Sequence, residues 1–243
     1  MNSKYRYLIP NGITFLSLTC GVISILLSAN GNFVPAGTFI LVSFVLDLFD
    51  GFSARMLKAG SEFGLQLDSL VDMVSLGVAP TVLVFKFVET EGVPMVFVWP
   101  VSVLVTLAGA YRLARFNLLP PKETGSKDSA GLTISSGGAT IALAVLADIA
   151  VPDVVQIPDI WYIPFLLGIS LLMVSKIAFP SFSWVFSNRL RVALLIVLFI
   201  ITIALYSFFN AWFFWNNVYL GVSLARAGYK KFALRQLNYE QFG

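Results

Sequence analysis

The sequence predicts an all-α fold, a polytopic membrane helix bundle of about eight transmembrane helices. Three observations carry this. Of 243 residues, 58% are hydrophobic and only 12% are charged, a balance foreign to soluble domains. Apolar runs of spanning length recur along the whole chain. Lys and Arg gather in alternate connections between those runs.

A span needs about 20 residues. Runs of that order lie near residues 8–29, 34–57, 64–88, 96–117, 131–150, 158–176, 190–209 and 211–225. The first follows a short polar segment, MNSKYRY, with no small-residue cleavage site, and is expected to be retained as a span. Lys4 and Arg6 precede span one, and Arg55 and Lys58 follow span two. Arg112, Arg115, Lys122 and Lys127 follow span four. Lys176, Arg189 and Arg191 flank the link between spans six and seven, and Arg226, Lys230, Lys231 and Arg235 follow the last. With eight spans all of these fall on one side. The other side carries Glu89, Glu91, Asp148, Asp153 and Asp159, with Lys86 the only nearby base. Both termini and the 51–63 and 118–130 loops are therefore expected to be cytoplasmic. The organisation expected is one membrane domain over residues 1–225 and a basic cytoplasmic tail over 226–243.

Composition also excludes. A net charge of +3 on so apolar a chain argues against a nucleic-acid partner. The lone Cys20 excludes a disulfide framework and a cysteine-rich metal site. With no histidine, a general base must be a carboxylate, a lysine or a tyrosine.

The chemistry concentrates between Asp47 and Asp72, in DLFDGFSARMLKAGSEFGLQLDSLVD. Asp47 and Asp50 are spaced i,i+3, and Asp68 and Asp72 i,i+4, so each pair shares one helix face. The pairs sit at the adjoining ends of two consecutive antiparallel spans and can face each other across one cleft. Small residues at Gly51, Ala54 and Gly64 let helices or a ligand approach closely. Four carboxylates at membrane depth are costly unless something cationic neutralises them. All-oxygen ligands favour a hard divalent cation, Mg2+ or Mn2+, of the kind that bridges carboxylates and phosphates. A metal-dependent phosphoryl-transfer site follows. A proton or cation relay in a transporter uses the same acids, but does not account for the interleaved arginine and glycines.

Written as a pattern the stretch is D-x2-D-G-x2-A-R-x8-G-x3-D-x3-D, filled by Asp47, Asp50, Gly51, Ala54, Arg55, Gly64, Asp68 and Asp72. It closely resembles the signature of the CDP-alcohol phosphatidyltransferases. The resemblance implies a helical membrane domain with a six-helix core, commonly a homodimer in the cell membrane. It implies transfer of a phosphatidyl group from a CDP-linked lipid to an alcohol, with release of CMP. By motif position, Asp47, Asp50 and Asp68 would be metal ligands for two divalent cations, and Asp72 a ligand and the base for the acceptor hydroxyl. Gly51, Arg55 and Ser61 would contact the CDP part. Pro10-Asn11-x-x-Thr14 resembles a first-span element of the family, which would place Asn11 and Thr14 near the nucleotide.

YRLARFN (111–117), SSGGAT (135–140) and VSKIAFPSF (174–182) resemble the phosphatidylserine synthase branch. That branch pairs CDP-diacylglycerol with L-serine. Arg112, Arg115 and Asn117 are the candidate acceptor contacts, since a guanidinium fork suits a carboxylate or a phosphate. The two arginines serve equally as topology determinants. Ser135, Ser136 and Thr140, with Gly137 and Gly138, either line the pocket or simply pack helices. A sibling enzyme taking glycerol 3-phosphate or inositol phosphate remains the alternative acceptor reading.

Overall fold

The computed structural model describes residues 6–118, 129–150, 158–179 and 189–242. Each of the eight apolar stretches carries a helix. Four segments are long and apolar enough to cross a membrane: α1 (Leu8–Ala29), α2 (Phe33–Met56), the continuous run Glu62–Thr90, and α5 (Met95–Asn117). Shorter apolar helices follow as α6 (Ile134–Ala150), α7 (Tyr162–Val174, behind a short turn at Asp159–Trp161) and α8 (Arg189–Leu205). Last comes α9 (Phe208–Phe242), which runs unbroken past residue 225 into the stretch read as a tail. Lys4, Lys122, Lys127, Asp153 and most of the 118–130 loop lie outside the described residues.

The third span is not one regular helix. It comprises α3 (Glu62–Asp72), a wide π turn over Met73–Val78, and α4 (Ala79–Thr90). Such turns insert a residue into the helical register and occur frequently at functional sites. The sequence pattern is apolar on both sides of the π turn and does not announce it. Two further departures are two-residue strands, β1 (Ser129–Ala130) and β2 (Ala178–Phe179), which pair antiparallel. The first lies just before α6, which begins at Ile134 rather than at residue 131.

The centre of the bundle is α6. From Ile134 to Ala147 nearly every residue is buried, as expected for a helix apolar all round. It packs against α2, α4, α9 and the π turn. Small residues make this possible: a Cβ on Gly138 would collide with the Leu76 carbonyl oxygen of the π turn.

The α1–α2 pair shows the membrane pattern of polar inside and apolar outside. Ser17 and Ser43 hydroxyls meet at 2.6 Å, Ser24 donates to the Ala36 carbonyl at 2.8 Å, and Ser75 of the π turn donates to the Ser17 carbonyl at 3.1 Å. The outer faces carry exposed Phe15, Leu16, Val22, Leu48, Phe49 and Phe52. This is an integral membrane bundle.

Candidate active site

The site forms where six helix ends meet. Contacts between α1 and α2, α3 and α5, and α5 and α7 place the start of α1, the end of α2, the start of α3 and the ends of α5 and α7 at one end of the bundle. The start of α6 joins them through β1.

Asp47 and Asp50 lie in the last turns of α2, and Asp68 in α3. One carboxylate oxygen from each of Asp47, Asp50 and Asp68 falls within 4.8 Å of the others. An ion about 2.1 Å from each ligand spans oxygens about 3 to 4 Å apart, so a small inward movement closes this set on a hard cation. The residues present therefore fit a divalent metal.

Asp72 stands beside this trio rather than within it. It ends α3, abuts the π turn, and is only 8% exposed, with Asp47, Asp68, Asp50 and Arg112 as its electrostatic neighbours. Arg112 enters from α5, 7% exposed, with its guanidinium 5.3 Å from the Phe116 ring centroid. It faces Asp72 and Asp47. Ser135, the second residue of α6, is a side-chain neighbour of Asp47.

The remaining candidates divide into those beside the carboxylates and those holding the walls. The Thr14 hydroxyl lies 2.9 Å from Asp50 Oδ2 and 3.0 Å from the Pro10 carbonyl, so its proton is shared between them. It thus orients a carboxylate of the trio. Gly51 follows Asp50, and a Cβ there would lie 3.5 Å from Arg55 Nη1. Arg55 is exposed and acts on Asp50 electrostatically. Ser61 caps α3, accepting from the Gly64 amide at 3.0 Å. Asn11 reaches the same turn: a Cβ on Gly64 would lie 3.1 Å from Ser61 Oγ and 3.4 Å from Asn11 Oδ1. Asn11, Ser61 and Gly64 therefore form one polar rim above α3.

Asn117 donates to Ser69 Oγ at 3.0 Å, tying α5 to α3. Arg115 spends its guanidinium on the carbonyls of Val174, Ala130 and Ser175. The small-residue run also divides. Thr140 accepts from Asn216 of α9 at 2.8 Å and so ties α6 to α9, while the hydroxyl of Thr133 donates to Ser136 at 2.8 Å within the first turn of α6. Only Ser135 turns to the carboxylates. Sequence reasoning gave neither Ser69 nor the serines between α1 and α2 any role. Their signal was a stripe of small polar residues, Thr14, Ser17, Gly21, Ser24 and Ser28, at alternating steps of three and four.

A family profile for CDP-alcohol phosphatidyltransferase matches residues 7–223. The chain belongs to that family. A CDP-diacylglycerol–serine O-phosphatidyltransferase of Helicobacter pylori is 32% identical over 197 residues, covering 80% of each chain. One of Bacillus subtilis is 33% identical over 174 residues, 72% of this chain and 90% of the relative. An archaetidylserine synthase of Methanothermobacter thermautotrophicus is 31% identical over 176 residues, 71% of this chain and 69% of the relative. The matched region includes all four aspartates, Thr14, Arg112 and Ser135.

Proposed function

We propose that the protein transfers a phosphatidyl group from CDP-diacylglycerol to L-serine, giving phosphatidylserine and CMP. The observation that carries this reading is the buried Arg112 guanidinium facing the Asp72 carboxylate beside the convergent trio. A small acceptor bearing both a carboxylate and a hydroxyl would present one to each. Relatives named for serine as acceptor support the same choice.

Asp47, Asp50 and Asp68 would hold the metal, with Asp72 at its edge, and two divalent ions, Mg2+ or Mn2+, would offset the four negative charges. Bound there, the ions supply Lewis-acid stabilisation of charge on the diphosphate. The chain's own groups do the rest. Thr14 fixes the rotamer of Asp50. Arg55 and the Asn11–Ser61 rim receive the cytidine and phosphate end of the donor. Arg112 holds the serine carboxylate. Asp72 accepts the hydroxyl proton as the serine oxygen bonds to the lipid-linked phosphorus and the phosphorus–oxygen bond to CMP breaks. The largely apolar outer faces leave the acyl chains in the bilayer.

The Lys/Arg asymmetry supports an active-site end that faces the cytoplasm, in the cell membrane. The homodimer implied by the family resemblance belongs to the same proposal. The test is CMP release by purified protein with CDP-diacylglycerol and a panel of acceptors. L-serine should be turned over, and serine methyl ester, glycerol 3-phosphate and inositol phosphate poorly. Equal turnover of glycerol 3-phosphate and serine would remove the serine assignment and leave the transfer chemistry standing. Cation transport into proteoliposomes without CMP would remove both.

A further inference from the structure

We propose that Arg115 is a positioning residue: it clamps the ends of α5 and α7 to the entrance of α6, and through that clamp holds Ser135 and Arg112 against the carboxylates. The inference deepens the proposed function and rests on it for the role of Arg112.

The last carbonyls of any helix lack partners within it. At the end of α7, Arg115 Nη1 donates to Val174 at 3.0 Å and Nη2 to Ser175 at 3.3 Å. Nη2 also donates to Ala130 of β1 at 2.7 Å. A cation there additionally meets the negative end of the helix dipole. Both Nη2 hydrogens are thus used, which removes the edge that a substrate carboxylate would take in a two-pronged pair.

The clamp continues through the backbone. The Gly131 amide donates to the Ile177 carbonyl at 2.8 Å and the Leu132 amide to that of Leu172 at 3.0 Å. Gly131 has φ +82°, and a Cβ on it would lie 2.6 Å from the Met173 oxygen and 2.8 Å from that of Ser175, so only glycine fits. Four residues further along the same segment stands Ser135, the side-chain neighbour of Asp47. On α5, Arg112 precedes Arg115 by three residues, so the clamp fixes the same helix end that carries it. The two groups other than carboxylates that reach Asp47, Ser135 and Arg112, therefore both hang from this clamp.

The alternative role for Arg115, direct contact with the acceptor carboxylate, predicts different kinetics. Arg115→Ala should lower kcat about tenfold, in the range for groups that orient a ligand. It should keep the preference for serine over serine methyl ester within about twofold of wild type, whereas Arg112→Ala should erase that preference. Loss of the preference in Arg115→Ala with kcat retained would overturn the proposal.

A second readout needs no acceptor. The Mn2+ concentration giving half-maximal thermal stabilisation of the detergent-purified protein should rise about tenfold in Arg115→Ala and in Ser135→Ala. The double variant should rise no further than either single, because of the two groups the clamp holds it is Ser135 that orients the metal ligand Asp47, while Arg112 serves the acceptor. An unmoved midpoint in Arg115→Ala, or a multiplied rise in the double variant, overturns the clamp. If wild type shows no preference for serine, the acceptor assignment fails, and the Mn2+ midpoints still decide this inference. Should Arg115→Ala fail to fold, Arg115→Lys keeps the charge but lacks the fork, and the same shift is expected at smaller size. A wild-type midpoint and kcat in that lysine variant would contradict the role of the fork.

Discussion

The bundle gathers acids at both ends, and the two ends treat them differently. At the end away from the site, Glu89 of α4 pairs with Lys86, and Asp148 of α6 accepts from the Tyr162 hydroxyl at 3.1 Å. These acids are dispersed along a rim, each near a helix end. At the site end, three carboxylates converge within 4.8 Å, a fourth stands alongside, and Arg112 faces two of the four, with no contact ion pair to any of them among the described residues. Charge at one end is spread along the rim. At the other it is concentrated on a point, an arrangement stable only with added positive charge. A membrane enzyme can thus carry similar numbers of acids at both surfaces and be catalytic at one.

The sharpest way to break this contrast is to remove charge from the crowded end. Asp47→Asn, Asp50→Asn and Asp68→Asn should each cut CMP release by more than the ~100-fold upper end seen for groups that only orient a ligand. Near-normal rates in any two of them would refute the shared metal. Asp72→Asn should bind the CDP-lipid yet fail to transfer serine at every metal concentration, because an amide takes no proton. Recovery at high metal would make Asp72 a ligand alone.

Next in size is Arg112→Ala. Loss of a charged hydrogen bond of roughly 1.5–3 kcal/mol should raise the serine KM by about ten- to a hundredfold. The CDP-lipid KM should stay within about twofold of wild type, and equal rises in both would make Arg112 part of the donor site. Thr14→Ala should follow, raising the metal requirement about tenfold through misoriented Asp50. Thr14→Ser should restore most of it.

The smallest effects belong to the far end. Tyr162→Phe removes one partly buried hydrogen bond, so stability should fall by about 1 kcal/mol with turnover within about twofold. A large loss of turnover there would show that the two ends are coupled.

Much of this division was legible before any coordinates. The spacing of Asp47, Asp50, Asp68 and Asp72 already put two carboxylate pairs on facing helix ends, because helical periodicity alone fixes which residues share a face. The lysine and arginine asymmetry separated the two ends. What stayed hidden depends on contacts between residues distant in the chain. Arg115 meets Val174 and Ser175 across 59 and 60 residues, and no local pattern distinguishes a guanidinium that caps a foreign helix from one that awaits a substrate. The bond from Asn117 was hidden for the same reason, since its partner Ser69 lies 48 residues away. The π turn was invisible because apolar side chains suit either register. Thr14 was read as a neighbour of the nucleotide, and the partner its hydroxyl takes within the chain is a carboxylate 36 residues on.

In the proposed mechanism the four aspartates and Arg112 together join serine to a phosphatidyl group. The direct measurement is parallel quantification of CMP and phosphatidylserine from purified protein, CDP-diacylglycerol and labelled L-serine, with Mn2+ and then with a chelator. The account predicts equal amounts of both products, none without serine, and none after chelation until metal is restored. CMP formed without serine, or label entering lipid at an undiminished rate under chelation, would contradict it.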